Sequence, residues 1–484
     1  MPIQLSKNDI RAIYHQGEDA VVSLVEMLMA KINFLEAEIE KLKAQLTKDS
    51  HNSSKPPSSD YHRPKPKSQR KKSSKHKGGQ KGHKGHTLKQ VETPDHIVVH
   101  PLTGKGACGC NLEDARFLRY EKRQVFDIPP VEMEVTEHLG EVKQCNCGIC
   151  HTAQFPPGVT APVQYGERIH ATMVYLSTYQ LLPQKRTTEV MADLFDVHLS
   201  EGTLNTSITH AYKRLAETEE AIKDALVNAP VIHADETGIY IGGKRLWEHT
   251  CGTDSFTYYY FHQGRGFDAI EAGKILVKYA GRVVHDGWPS YFKFDILHAL
   301  CNAHHIRELV FIAEQFRQQW ASDMITLLCH IKTVVDRARG ADCHQLDPRT
   351  LNRYEKIYDK IITRGYDTNP VPDTKKKRKK RGRKKQTPPR NLLDRLHIYK
   401  DETLAFMYDF NVPFDNNTSG RDLRMTKVKQ KISGCFRSEK GARAFCRIRG
   451  FISTLMKQGH NVMESLINCF DHSCTQSNLL PLMK

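Results

Sequence analysis

Two aspartates offer the plainest chemistry in this sequence. Asp235 closes an apolar, strand-like run (VIHAD) and Asp286 closes another (RVVHD). A carboxylate at a strand's end lies at the rim of its sheet, within reach of a ligand. Two of them on adjacent strands would converge, and converging carboxylates raise one another's pKa unless a cation sits between them. Mg2+ or Mn2+ suits such a pair, because these ions prefer oxygen ligands and leave positions open for phosphate oxygens. Two such ions ~4 Å apart can activate a water or a 3′-hydroxyl and stabilise the leaving oxygen. Either aspartate alone is more simply a turn cap; the matched pair in successive strands favours the chemical interpretation.

A second constellation is built from sulfur. Of 13 cysteines, five cluster as Cys108-Gly-Cys110 and Cys145-Asn-Cys147-Gly-Ile-Cys150. Two hairpin-borne pairs supply the four soft ligands of a tetrahedral Zn2+ site. Cys108, Cys110, Cys145 and Cys147 are the expected set, and spacing leaves Cys150 or His151 open as the fourth ligand. Cys301-Asn-Ala-His304-His305 has the form of a metal half-site without an evident second half. It is equally well a packed cysteine beside a histidine that orients the acidic rim.

The elements that must position these groups follow from periodicity. The 484 residues correspond to about three ordinary domains. Residues 1–48 contain a long helix in which Val25, Leu28, Ile32, Leu35, Ile39, Leu42 and Leu46 alternate at spacings of three and four. β-branched residues at one core position with Leu at the other favour a parallel two-stranded coiled coil, and hence a homodimer. Residues 49–90, rich in Ser, Pro, Gly, Lys and His, are a basic flexible linker. Short alternating stretches such as HIVVHPL predict a small β module over 91–165. Residues 166–228 are helical. Here Ser200 caps a helix whose buried stripe is Leu204, Ile208, Ala211 and Leu215, leaving Thr203, Asn205, Ser207 and Lys213 on other faces. This pair is compatible with a helix-turn-helix that reads DNA and at least as well with a structural hairpin. From 229 to 470, three strands, a helix and a fourth strand give the opening order of an RNase H-like mixed sheet, interrupted by a mostly helical insertion over about 306–410. A tail (471–484) ends the chain.

Charge adds a partner. Lys and Arg number 72 against 55 Asp and Glu, a net charge of +17. Residues 61–89, including Lys71 and Lys72, hold eleven basic residues and no acid. Residues 375–385, beginning Lys375, Lys376, Lys377 and Arg378, hold ten. Removing both runs leaves 17 − 21 = −4, so a near-neutral body carries two basic segments. A polyanion such as DNA would neutralise them, with counterion release driving the binding. No apolar run approaches the ~20 residues of a membrane span and no signal-peptide pattern is present, so neither a membrane protein nor a secreted one is expected.

Taken together, HNSSKPPSSD, GGQKGHKGH, HADET, VVHDGW, LCNAHHIREL and PFDNNTSGRDLR…KQKISGCFRS resemble the transposases of the insertion sequence sixty-six family, bacterial DDE enzymes. The resemblance implies a cytoplasmic, nucleoid-associated protein with an RNase H-like catalytic domain and a divalent metal. Asp235 and Asp286 then correspond to the first two acids of the triad. It implies phosphodiester hydrolysis at the element's inverted-repeat ends, then attack of the freed 3′-hydroxyl on target DNA. The cysteine region is similar to the family's zinc-binding module, and Cys301 with His304 resembles an element found after the second Asp. Small accessory proteins of the same element are common partners in the family. One departure matters. The third acid belongs to an Asp-Asn-Asn-x-x-Glu-Arg motif, and here that Glu position is Gly420. Glycine binds no metal and carries no proton, so loss of strand transfer within an intact architecture is expected. A neighbouring acid (Asp415 or Asp422) standing in, or retention for DNA binding alone, are the competing explanations. Arg421, Arg424, Lys427, Lys429 and Lys431, which follow, are expected to contact DNA phosphates.

Overall fold

The computed structural model describes residues 6–49, 52–53, 88–113, 115–129, 131–341, 343–370 and 386–474. The basic runs, with Lys71, Lys72, Lys375, Lys376, Lys377 and Arg378, lie outside the described residues, as do most of the linker and the end of the tail. The N-terminal segment forms α1 (Lys7–His15), closed by a Ser6–Asp9 capping box, and the 29-residue α2 (Glu18–Leu46). Val25, Ile32, Leu35, Ile39 and Leu42 of α2 are about half exposed.

Residues 88–165 differ from expectation. Their only strands among the described residues are β1 (Val142–Gln144) and β2 (Cys150–Thr152), an antiparallel pair, with one isolated bridge, Lys105 to Asn111. HIVVHPL forms no strand, and Ile97, Val98 and Val99 are exposed. Alternation supplies β propensity, but a strand becomes stable only where a second sheet or a helix covers its apolar face.

The helical region comprises α3 (Glu167–Val174), running through a π-turn at Tyr175–Tyr179, then α4 (Gln184–Phe195), α5 (Glu201–Arg214) and α6 (Ala216–Val227). Ser200 caps α5 as expected, accepting from the Thr203 N–H at 3.1 Å, and Leu204, Ala211 and Leu215 are buried. Ser207 departs from its assignment to another face. It is buried and hydrogen-bonded to His170 Nδ1 at 2.8 Å.

The sheet contains β3 (Val231–Ile241), β4 (Lys244–Gly252), β5 (Thr257–His262), β6 (Arg282–His285) and β7 (Leu297–Leu300), in the order β5-β4-β3-β6-β7. The first three are antiparallel, while β6 and β7 run parallel to β3. Gly242 and Gly243 (φ +56° and +77°) make the two-residue β3–β4 turn, where the left-handed conformation at both positions matches the strand twist. The helix expected between the third and fourth strands of this region is only α7 (Phe267–Ala272). LHALCNAHH is both β7 and the start of α8 (Asn302–Gln315).

Helices cover both faces. Ile232, Ala234 and Val283 pack with α6, α14 (Glu439–Lys457) and α15 (Val462–Phe470). Val284 and Ala299 pack into the inserted helices: α8, α9 (Gln319–Gly340), α10 (Pro348–Thr368), α11 (Pro388–Ile398) and α12 (Lys400–Tyr408). α14 also runs along the edge strand β5, where Thr454 Oγ1 accepts the Thr257 N–H at 3.1 Å and so blunts the edge. α13 (Asn417–Ser433) lies against β3 and β4. Among the described residues no helix is long and apolar enough to cross a membrane.

Candidate active site

The β3–β6 register builds the site. Val231 pairs with Arg282 and His233 with Val284; two further steps set Asp286 beside Asp235. Asp286 sits just past the end of β6. Its Oδ1 accepts the Trp288 N–H at 2.9 Å, and Gly287 (φ +87°) takes the left-handed turn between them. Asp235 Oδ1 accepts the Glu236 N–H at 2.8 Å. Burial, then the charges of Glu236 and Asp286, push the Asp235 carboxyl up to about 7. Asp235 does not end its strand as expected, since β3 continues to Ile241 and pairs Asp235 with Thr250 of β4; β6 stops at His285, so the two acids meet at the rim where β3 outruns its parallel neighbour.

Two residues that sequence reasoning missed complete this rim. The fully buried Glu236 carboxylate accepts from Arg265 Nε at 2.6 Å and from the Tyr291 hydroxyl at 2.7 Å. The same guanidinium reaches Asp286 Oδ2 at 3.4 Å and stacks 5.1 Å from the Trp247 ring and 4.1 Å from that of Trp288. A signal existed: strand alternation puts Glu236 on the face of Ile232 and Ala234, and an acid on an apolar face needs a partner.

The third element is α13. Asn416 locks its start to β3, donating to the Ala234 carbonyl at 2.8 Å and bonding His233 Nδ1 at 2.7 Å. Lys427, farther along, donates to the Gly238 carbonyl. Gly420 lies between these tethers, and a Cβ built on it meets nothing within 4 Å. The two acids nearest in sequence are engaged elsewhere. Asp422 is buried against Lys457 Nζ at 2.8 Å. Asp415 accepts the Asn417 N–H at 3.0 Å as a turn cap. Of the basic residues expected to meet DNA, Arg421, Arg424 and Lys431 are exposed. Lys427 is committed to β3, and Lys429, half-buried, lies 5.8 Å from the Phe445 ring; burial lowers the pKa of both.

Cys301 behaves as a packed thiol. Its sulfur accepts the Asn416 N–H at 3.1 Å, and burial pushes it up to about 11. His304 is largely buried with its pKa lowered by desolvation, and Nδ1 lacks a hydrogen-bond partner among the described residues.

The oxygen-only donor pair suits a hard divalent cation, which often takes one or two carboxylates and fills its shell with water and phosphate. Among the described residues no three His, Cys, Asp or Glu side chains gather as a metal group, at the rim or among the cysteines. Cys108, Cys110 and Cys150 are exposed thiols, and Cys145 and Cys147 are joined as a disulfide.

A mixed sheet flanked by helices, with paired acids at its rim, is compatible with the class of enzymes that act on phosphodiesters. The family model for the transposase IS66 family matches residues 162–444, more than half the chain and all of this site. The protein is thus a transposase by family, and it belongs to the IS66 transposases. Residues 6–89 match a separate family of unknown function (DUF6444). A search of curated proteins found no match.

Proposed function

We propose that this chain is an RNase H-like DNA transposase that binds the inverted-repeat ends of an insertion sequence, with the third acid of its catalytic centre replaced by Gly420 and strand transfer lost as a result. The strand order, with Asp235 inside β3 and Asp286 just past the end of its parallel neighbour β6, favours this architecture. Asp235 and Asp286 would hold Mg2+ or Mn2+. When bound, the cation would supply charge stabilisation at phosphate oxygens and activate a water or 3′-hydroxyl. Arg421, Arg424 and Lys431 would grip DNA phosphates, with the two basic runs adding sequence-independent affinity. The cysteine knuckles would hold a structural Zn2+ once Cys145 and Cys147 are reduced, and α2 would pair two copies.

The observation that carries the proposal is the adjacency of Asp235 and Asp286, set by the parallel register of β3 and β6 and felt as the Asp286 charge raising the Asp235 carboxyl. The second reading, a catalytically silent DNA-binding relative, draws on the empty space beside Gly420 where a carboxylate belongs. An assay of Mn2+-dependent cleavage of end-bearing DNA separates them. A Cβ at position 420 meets no neighbour, and Gly420→Glu is expected to cleave at least ~100-fold faster than the unaltered chain. Equal cleavage by both rejects inactivation, and cleavage by neither leaves the silent binder.

A further inference from the structure

The shared guanidinium of Arg265 raises a question that the two aspartates alone do not. A cation beside Asp286 competes with any metal for that carboxylate. The geometry shows the competition already biased. Arg265 Nε lies 2.6 Å from Glu236, while its Nη2 is 3.4 Å from Asp286. Glu236 is in turn fixed by the Tyr291 hydroxyl at 2.7 Å, and Trp288 and Trp247 hold the guanidinium by ring contacts. A short charge-assisted bond is the stronger of the two, so the guanidinium is anchored on the buried acid and only leans on the rim.

We propose that Glu236 acts through Arg265 as a positioning residue, drawing the guanidinium off Asp286 so that this carboxylate stays available to a divalent cation. The proposal rests on the two-aspartate cation site above. It goes beyond that site in giving Glu236, which touches neither substrate nor metal, a defined effect on cation affinity. Without Glu236 the full charge of Arg265 would turn to Asp286, and the cation would have to displace it. Without Arg265, Glu236 would have nothing to restrain.

A double-mutant cycle read by Mn2+ affinity tests this directly, using the full chain, calorimetry and tryptophan emission. Glu236→Gln should weaken Mn2+ binding roughly tenfold, whereas Arg265→Gln should tighten it severalfold. In the Arg265→Gln background, Glu236→Gln should weaken Mn2+ binding much less, by the direct effect of its charge alone, a non-additivity that simple loss of packing would not produce. Mn2+ should also change tryptophan emission in the unaltered chain, because the cation alters the Asp286–Arg265–Trp288 contact. Trp288→Phe should reduce that change, leaving the part reported by Trp247. If Glu236→Gln fails to fold, Glu236→Asp, which keeps the charge but shortens the reach, should weaken Mn2+ severalfold. Equal weakening by Glu236→Gln in both backgrounds, or none in the unaltered chain, overturns the proposal while leaving the cation site intact. Absence of Mn2+ binding that depends on Asp286, judged by Asp286→Asn, overturns the cation site and the proposal with it.

Discussion

Asp235 and Glu236 are neighbours in sequence and part company in the fold, because successive strand residues face opposite sides of a sheet. Glu248 extends the same logic one strand over. It pairs with Thr237, takes hydrogen bonds from Thr426 (3.1 Å) and Cys446 (3.6 Å), and is fully buried, which pushes its carboxyl up to about 7. Below pH 4.5 the group is protonated in folded and unfolded chains alike. Between pH 4.5 and 7 the folded chain keeps a proton that the unfolded chain sheds, so the stability tied to that proton is lost as pH rises. At pH 8 the buried carboxylate costs up to about 3 kcal/mol. Glu248→Gln is therefore expected to raise the denaturation midpoint at pH 8 and to leave it nearly unchanged at pH 5; a gain of equal size at both would refute the titration. Asp235 and Asp286 were legible in the sequence because each ends an apolar run. Glu248 and Arg265 were not, because what makes them distinctive is a partner brought from 18 to 198 positions away, and for Glu236 strand alternation signalled only that a partner was needed, not which one.

At the scale of elements, legibility followed local content. Ser200 capping α5 and the glycine pair turning β3 into β4 are instructions contained within a few residues, and the fold obeys them. HIVVHPL carried an equally clear alternation and formed no strand, since nothing among the described residues covers its apolar side. The knuckles at Cys108–Cys110 and Cys145–Cys147 are likewise locally formed. The Gly109 N–H bonds the Gly106 carbonyl at 2.8 Å, and the Gly148 N–H bonds the Cys145 carbonyl at 2.9 Å. What is missing is a core to hold two such turns together, and in small modules a metal supplies that energy. Under reducing conditions we expect about one Zn2+ per chain. Cys108→Ser should release it and expose residues 91–165 to protease. Unchanged zinc content in that variant would remove Cys108 from the site.

For the molecule as a whole, the question is what joins the N-terminal helices to catalysis. The matches to two separate families, over residues 6–89 and 162–444, mark the N-terminal segment as a unit distinct from the sheet and its helices. Its α2 is 29 residues long, about 43 Å at 1.5 Å per residue. Along it Val25, Ile32, Leu35, Ile39 and Leu42 remain about half exposed. A helix shows such a stripe to water at a cost, and burying it against an identical helix removes that cost for both copies. A dimer formed through this segment would bring two copies of the rim carrying Asp235 and Asp286 into one assembly. Leu35→Asp puts a charge in the seam, where desolvation without a partner costs several kcal/mol in each helix. The unaltered chain is expected to sediment as a dimer and the variant as a monomer. Its melting profile should be unchanged in the transition belonging to the sheet and its helices, because Leu35 is outside both of their buried cores. A dimer that survives the substitution would assign self-association to another surface and leave α2 as a single amphipathic helix.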